Sequence, residues 1–345
     1  MSSIERRKFI KIAAISGAGL LTGSAYATSS YFNNSKDKIQ ELPGGAYAVM
    51  MTPFTKDLKI DYPALKELIN WYERAGIRGF FANCASSEMY DLSPEERLNL
   101  TRFVVENSKV PVLSTGTFSD DVRENASFIK KIHDTGVDGV VIITSVIVGK
   151  DASDQDFANS IMELVNETEG IPLGIYECPS PYKRLVSPEL LGKISDTGRF
   201  IYLKDTSCDA ETVRQKIKAC KGSKLGLYNA HTPDILDSLR HDGAGSSTIA
   251  SNYYPELYAY LCKNANKKGK KEEVELVNDF ILRNEKVIGK KYKISAKYFM
   301  KIRGLPVNVN SRTYNGALDD SDEKRLQNLW SELQMLAEKV NITLA

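Results

Sequence analysis

Cysteine is scarce in this chain: five residues in 345, at positions 84, 178, 208, 220 and 262, an odd number with no C-x-x-C pair and no histidine at zinc-ligand spacing. Scarcity of this kind excludes a disulfide-built fold and argues against a metal site; five free thiols in a large core are the simpler reading. Charge of one sign is equally lacking, since 46 Lys+Arg face 44 Asp+Glu. A balanced chain has no electrostatic hold on nucleic acid or on an anionic membrane. Even the formal +2 is local, because Arg6, Arg7, Lys8 and Lys11 against Glu5 put +3 into the first eleven residues and leave the remainder near −1. Beyond those residues no run is long and apolar enough to approach the ~20 residues of a membrane helix. What remains, at 42% hydrophobic and 26% charged residues, is the composition of a soluble, core-forming protein.

The first residues follow their own pattern. Arg6-Arg7-Lys8-Phe9-Ile10-Lys11 precedes a small-residue apolar run at 12–21 and then Ala25-Tyr26-Ala27. That is the layout of a secretory signal peptide over residues 1–27, and the paired arginines resemble the twin-arginine signal that exports folded proteins. Export, to the periplasm, is the expectation, with residues 28–44 as a polar linker.

From residue 45 short apolar runs alternate with helical patterns. Strands are expected at 46–52, 79–82, 112–115, 139–143, 173–176, 200–204, 225–229 and 246–250. Between them Leu65, Leu68, Ile69 and Tyr72 show the spacing of a one-sided helix. Ser93-Pro94-Glu95-Glu96 is a capping box with proline at the first helical position, and Ser187-Pro188-Glu189 opens another helix. Eight such units predict an α/β fold, a (β/α)8 barrel over 45–265. A doubly wound open sheet would carry a glycine fingerprint after its first strand, where this chain has Thr52-Pro53-Phe54. Helical patterns at 271–288, 295–302 and 321–340 form a C-terminal appendage, residues 266–345. The lysines at 263, 267, 268, 270 and 271 read as a solvated turn.

Barrel chemistry sits at the C-terminal strand ends. Lys204 ends the apolar strand 200–204, where burial disfavours an ammonium and leaves a nucleophilic amine. Tyr176 ends the preceding strand, one strand spacing away, and a phenol there can relay protons to and from a forming imine. After the second strand, Ser86 and Ser87 with their backbone N–H groups suit a carboxylate. Ser247, in the eighth strand segment, is a further substrate-binding candidate.

Taken in order, these pieces resemble the dihydrodipicolinate synthase and N-acetylneuraminate lyase family of pyruvate-dependent class I aldolases. The likeness rests on Met51-Thr52-Pro53-Phe54, Ser86-Ser87-Glu88 with Leu92-Ser93-Pro94-Glu95-Glu96-Arg97, Ser114-Thr115-Gly116, Tyr176 with Pro179, Leu203-Lys204-Asp205-Thr206-Ser207, Asn252-Tyr253-Tyr254-Pro255-Glu256 and Gly304-Leu305. The resemblance implies a Schiff base from Lys204 to a 2-oxo acid such as pyruvate, Tyr176 as proton relay, and Ser86 with the backbone around Ser87 as carboxylate holders. It also implies no metal or organic cofactor, and a homotetramer or homodimer. The departures are specific. Where the family has two hydroxyl residues between glycines, this chain has Cys84-Ala85-Ser86-Ser87, and where the family places a second relay tyrosine it has Ile147. Pro181 stands at the place of the synthase's arginine, with Lys183 and Arg184 close by as candidate charge partners, and Tyr90 is a candidate replacement phenol. The expected activity is retro-aldol cleavage of an acidic sugar by a lyase. Dihydrodipicolinate synthase-like condensation, an imine-dependent dehydratase and an inactive keto-acid-binding barrel are the alternatives.

Overall fold

The computed structural model describes residues 39–345, so the signal-peptide expectation and most of the linker lie outside the described residues. Eight parallel strands close into a barrel in sequence order: β1 Gly45–Val49, β2 Gly79–Asn83, β3 Val112–Thr115, β4 Gly139–Ile143, β5 Leu173–Tyr176, β6 Phe200–Asp205, β7 Gly226–Asn229 and β8 Gly245–Ser246. The strands are buried on both faces, which is why their sequences are apolar runs without alternation.

The ring closes where β1 meets β8, Gly45 opposite Gly245. A Cβ on Gly245 would stand 1.9 Å from the Gly45 carbonyl oxygen, so only glycine lets the seam close. The barrel interior is filled by tyrosines from β1, β6 and β7, with the Tyr47, Tyr202 and Tyr228 ring centroids 4.5–5.9 Å apart. Gly79 makes room for this stack, since a Cβ there would meet the Tyr47 ring at 2.0 Å.

Helices α1 Tyr62–Arg74, α2 Pro94–Asn107, α3 Val122–His133, α4 Asp154–Glu167, α5 Pro188–Ser195, α6 Ala210–Ala219, α7 Ile235–Arg240 and α8 Pro255–Asn264 follow the strands in turn. The one-sided pattern in α1 turns Leu65, Leu68, Ile69 and Tyr72 wholly inward. The capping box of α2 is formed: Glu96 N–H donates to Ser93 Oγ at 3.1 Å and Ser93 N–H to Glu96 Oε2 at 2.9 Å.

Two strands stop short of expectation: the first, expected to run to 52, ends at Val49, and the eighth, expected to run to 250, ends at Ser246. β8 has two residues, because Thr248 accepts from Ala250 N–H through its hydroxyl and from Ser251 through its carbonyl, closing a 3-10 turn over Ile249–Asn252. Side-chain bonds of this kind compete with a ladder and end it.

Three more helices, α9 Lys271–Gly289, α10 Ile294–Ile302 and α11 Asp320–Lys339, pack onto the barrel. Arg303 is the bolt: its guanidinium reaches Glu256 Oε1 at 2.5 Å and the Tyr253 carbonyl at 2.7 Å, and lies against the Trp71 and Trp330 rings. No helix among the described residues is long and apolar enough to cross a membrane, and no His, Cys, Asp and Glu cluster there could hold a metal ion. All five cysteines are free, with Cys208 exposed, Cys262 half-buried and the rest buried.

Candidate active site

Strand register brings the two principal candidates together. Tyr176 on β5 is the direct partner of Lys204 on β6, both side chains are about 4% exposed, and the Lys204 ammonium nitrogen lies 4.3 Å from the Tyr176 ring centroid. The Phe81 ring closes the site from β2 at 5.9 Å. Burial holds the Lys204 pKa below that of an ordinary lysine, only partly opposed by the nearby thiols of Cys84 and Cys178. Burial also holds the Tyr176 phenol well above its usual range, so it stays protonated. A lysine whose free-amine form burial favours, beside a phenol, has the parts needed for carbonyl addition and dehydration.

Behind these tips lies a buried charged trio. Glu177 and Asp205 each follow a site residue and therefore point to the opposite side of their strands, into the helix layer. Lys216 of α6 meets both, 2.5 Å from Glu177 Oε1 and 2.7 Å from Asp205 Oδ2, with all three side chains fully buried. Glu177 also accepts the backbone N–H groups of Val186 and Thr206, and Asp205 those of Ser207 and its hydroxyl. Both strand ends are thus tied to one cation.

The serine loop divides its labour. Ser87 Oγ accepts from Cys84 N–H and donates to the Cys84 carbonyl at 2.7 Å, so its hydroxyl closes the turn that displays Ser86. Ser86 Oγ accepts from Tyr292 OH at 2.8 Å, and that phenol in turn accepts from Asn252 Nδ2 at 2.7 Å, whose Oδ1 takes the Tyr72 hydroxyl. Glu88, in the left-handed region at φ 61°, anchors the loop from below. It pairs with Lys297 at 3.0 Å and accepts from Ser311 Oγ and from the N–H groups of Arg312 and Thr313. Burial alone would raise the Glu88 carboxyl, but Lys297 and these donors bring it below the ordinary value; burial brings Lys297 down to about 8.

The remaining candidates fall in different places. Ser247 is fully buried and accepts the Tyr202 hydroxyl at 2.6 Å; since Tyr202 precedes Lys204 by two residues on the same strand face, Ser247 supports the floor of the site. Arg184 is committed elsewhere. It donates to the Ala152 and Ser153 carbonyls and to Asp154, each at 3.0 Å, and stacks on Phe157, holding the loop after β4. Lys183 is exposed, 3.7 Å from the Cys208 thiol and in no ion pair among the described residues. Tyr90 donates to the Ser180 carbonyl at 3.0 Å beside the site. Ala85 and Ile147 stand where hydroxyls were lacking, and Ile147 is buried.

Three participants escape sequence reasoning. Tyr292 sits among lysines between α9 and α10 with no periodic signal. Lys297 looks like one more helix lysine. Lys216 had an indirect signal, because two carboxylates ending apolar strands demand a buried cation. A cavity of about 1340 Å³ opens at the opposite end of the barrel, around Gly45, Arg78 and Val110, and none of the strand-tip candidates line it.

Among curated proteins, the 4-hydroxy-tetrahydrodipicolinate synthase of Clostridium novyi (strain NT) is 26% identical over 220 residues, 63% of this chain and 72% of that one. A protein described as an uncharacterized DapA-like lyase from Thermococcus kodakarensis is 26% identical over 273 residues, 76% of this chain and 90% of that one. Among solved structures, YagE of E. coli K12, a prophage protein of the dihydrodipicolinic acid synthase family crystallised with pyruvate, superposes with a TM-score of 0.74 at 23% identity, covering 85% of this chain and 98% of that one. A monomeric dihydrodipicolinate synthase variant gives 0.76 at 16% identity, covering 84% and 97%. At those identities the structures show a shared barrel. The family model described as the dihydrodipicolinate synthetase family matches residues 42–333, so this chain belongs to that family of carbon–carbon lyases and synthases.

Proposed function

We propose that the chain is a Schiff-base-forming lyase that cleaves an acidic sugar or another 2-oxo acid by retro-aldol chemistry. The observation that carries this reading is the buried Lys204 amine against Tyr176 at register-paired strand tips. In the proposed cycle the Lys204 amine attacks the keto carbon, and Tyr176 donates the proton with which the carbinolamine oxygen leaves as water. As the Tyr176 phenolate takes the C4 hydroxyl proton, cleavage of the C3–C4 bond places its electron pair on the imine as an enamine and frees an aldehyde. Protonation at C3 and hydrolysis return pyruvate and the amine. Ser86, oriented by Tyr292, would hold the carboxylate, with the exposed Lys183 as a candidate cation for a second acidic group. Ser247 would act through the floor of the site.

Condensation of the dihydrodipicolinate synthase type is favoured by the names of the curated relatives. Against it stand Ala85, Ile147 and Pro181, where this chain lacks groups the synthase pattern carries. The arginine pair and Ala-x-Ala of the first 27 residues support an exported enzyme. A homodimeric or homotetrameric assembly fits the family resemblance.

The test is reductive trapping. Incubation with pyruvate and borohydride should add a reduced pyruvyl group to Lys204, located by peptide mass spectrometry, and a screen of acidic sugars should then release pyruvate. A folded protein that forms no adduct with any of several 2-oxo acids is a binding barrel instead.

A further inference from the structure

Imine formation needs the Lys204 amine and the Tyr176 phenol in a fixed relation, yet both stand where the strand ladder runs out. β5 ends at Tyr176, and Tyr176 with Lys204 is the last register pair between β5 and β6. The backbone bond that follows, from Glu177 N–H to the Lys204 carbonyl, is 3.3 Å long. Beyond it the Glu177 side chain takes over the junction.

Its Oε2 accepts the N–H of Thr206, two residues past Lys204, at 3.0 Å, and its carbonyl accepts the Thr206 hydroxyl at 2.6 Å. These two bonds lock the exit of β6 to the exit of β5. Its Oε1 accepts the Val186 N–H at 2.8 Å and the Lys216 ammonium at 2.5 Å, so the same carboxylate closes the loop from 178 to 186 that carries Lys183. Thr144 grips this segment from the side of β4: its N–H donates to the Tyr176 carbonyl at 3.1 Å and its hydroxyl to the Arg184 carbonyl at 2.7 Å. All three partners of the Glu177 carboxylate are N–H donors, and only a group that accepts at both oxygens satisfies them. An amide of the same shape turns its NH2 toward one of those donors.

We propose that Glu177 is a positioning residue for the reaction: its carboxylate, bridging Thr206, Val186 and Lys216, holds Lys204 and Tyr176 in the relation that imine formation requires. The proposal rests on the Schiff-base reading of Lys204. Glu177 faces the helix layer and acts through the backbone of its neighbours. Rates fall steeply with misplacement, by about a hundredfold for 1 Å, so a slack junction slows attack on the keto carbon while the attacking groups stay the same. Binding of pyruvate is spared, because Ser86 is held by Tyr292 and displayed by the Ser87 turn, and none of these three bonds to Glu177.

The experiment compares wild type with Glu177→Gln, Thr206→Val and Glu177→Gln/Asp205→Asn/Lys216→Met, with folding checked by circular dichroism and stability by urea unfolding. Two quantities are read with pyruvate from samples quenched with borohydride at timed intervals: the rate of Lys204 adduct formation at saturation, and the pyruvate concentration that gives half that rate. Glu177→Gln should slow adduct formation at least about tenfold, with half-saturation changed by less than about twofold. Thr206→Val, which removes the hydroxyl bond to the Glu177 carbonyl and leaves the charges in place, should slow it about threefold or more, as for one lost hydrogen bond. The triple variant relieves the stranded charges but still turns an amide toward a donor, so it should stay slow even where its stability returns. A folded Glu177→Gln that forms adduct within about twofold of the wild-type rate overturns the positioning role; where Glu177→Gln does not fold, the same result in Thr206→Val does so. A triple variant that regains its rate together with its stability also overturns it. No adduct in wild type with any of several 2-oxo acids overturns the aldolase reading, and the positioning role with it.

Discussion

Lys216 lies 2.5 Å from Glu177 and fully buried with it, and the same ammonium reaches Asp205 at 2.7 Å, so one lysine on α6 joins the residues that follow Tyr176 and Lys204. Removing it as Lys216→Met strands two carboxylates in the interior. Breaking a buried pair from one side costs about 3–5 kcal/mol, which chemical denaturation will read as a lower midpoint. Neutralising the partners as well, in Glu177→Gln/Asp205→Asn/Lys216→Met, should recover a large part of that loss. If Lys216→Met is as stable as wild type, the trio contributes nothing to the strand ends.

The Lys204 amine predicts a pH profile. Its folded pKa lies below the ordinary 10.5 because burial disfavours the ammonium. The reactive form is the free amine, so the rate of adduct trapping should rise with pH and reach its plateau below the pH at which an exposed lysine would. An apparent ionisation at or above 10.5 would show that the amine is hydrated. The measurement is the initial rate of reductive trapping across pH 5 to about 10.5, with Lys204→Ala as blank.

Glu88 and Lys297 predict an acid-sensitive link between the serine loop and α10. The Glu88 pKa is lowered in the folded protein from its ordinary 4.5, so the stabilisation is full above that value and is lost as pH falls through the lower folded pKa. Glu88→Gln leaves Lys297 unpaired and should cost about 3–5 kcal/mol at pH 7. The gap between variant and wild type should narrow below pH 4.5. Urea unfolding of both proteins at pH 7 and at progressively lower pH checks the sign.

Much of the barrel is legible in the chain because its signals are local. Apolar runs at one strand per unit, a capping box at Ser93 and a lysine at a strand tip each follow from residues within a few positions. Lys204 and Tyr176 were within reach for the same reason, since adjacency of consecutive strands in a parallel barrel turns a sequence order into a spatial one. Tyr292 was not, because its contact with Ser86 spans 206 residues and arises from packing of the appendage. Arg184 shows the converse. Next to Lys183 it looked like a substrate cation, but a guanidinium with five donors is drawn to carbonyls of the neighbouring loop, whereas an ammonium on a flexible stem stays in solvent.

Tyr292→Phe isolates the second layer of the site. The change removes the donor to Ser86 Oγ and the acceptor for Asn252 while keeping the ring. Stability should fall by about 1 kcal/mol, the net worth of a typical hydrogen bond. If Ser86 holds the substrate carboxylate, KM for the 2-oxo acid should rise by roughly three- to tenfold, matching about 1 kcal/mol of lost orientation, with kcat nearly unchanged. A fall in kcat with constant KM would place Tyr292 in the proton path instead.

Lys183 and Arg184 separate charge recognition from loop support. Arg184→Ala removes three donated hydrogen bonds, one to a carboxylate, together with the stacking on Phe157. Bonds from a charged donor contribute about 1.5–3 kcal/mol each at most, and partial exposure of Asp154 discounts its share. A loss of stability of about 1–3 kcal/mol is expected, with any change in KM following from the loosened loop. Lys183→Ala should leave stability within about 0.5 kcal/mol, as for an exposed side chain without a carboxylate partner. Its effect should appear in selectivity, as a raised KM for substrates with a second acidic group and an unchanged KM for pyruvate. Equal effects on both substrates would mean that Lys183 supplies only general attraction to anions, and salt would then erase the difference between variant and wild type.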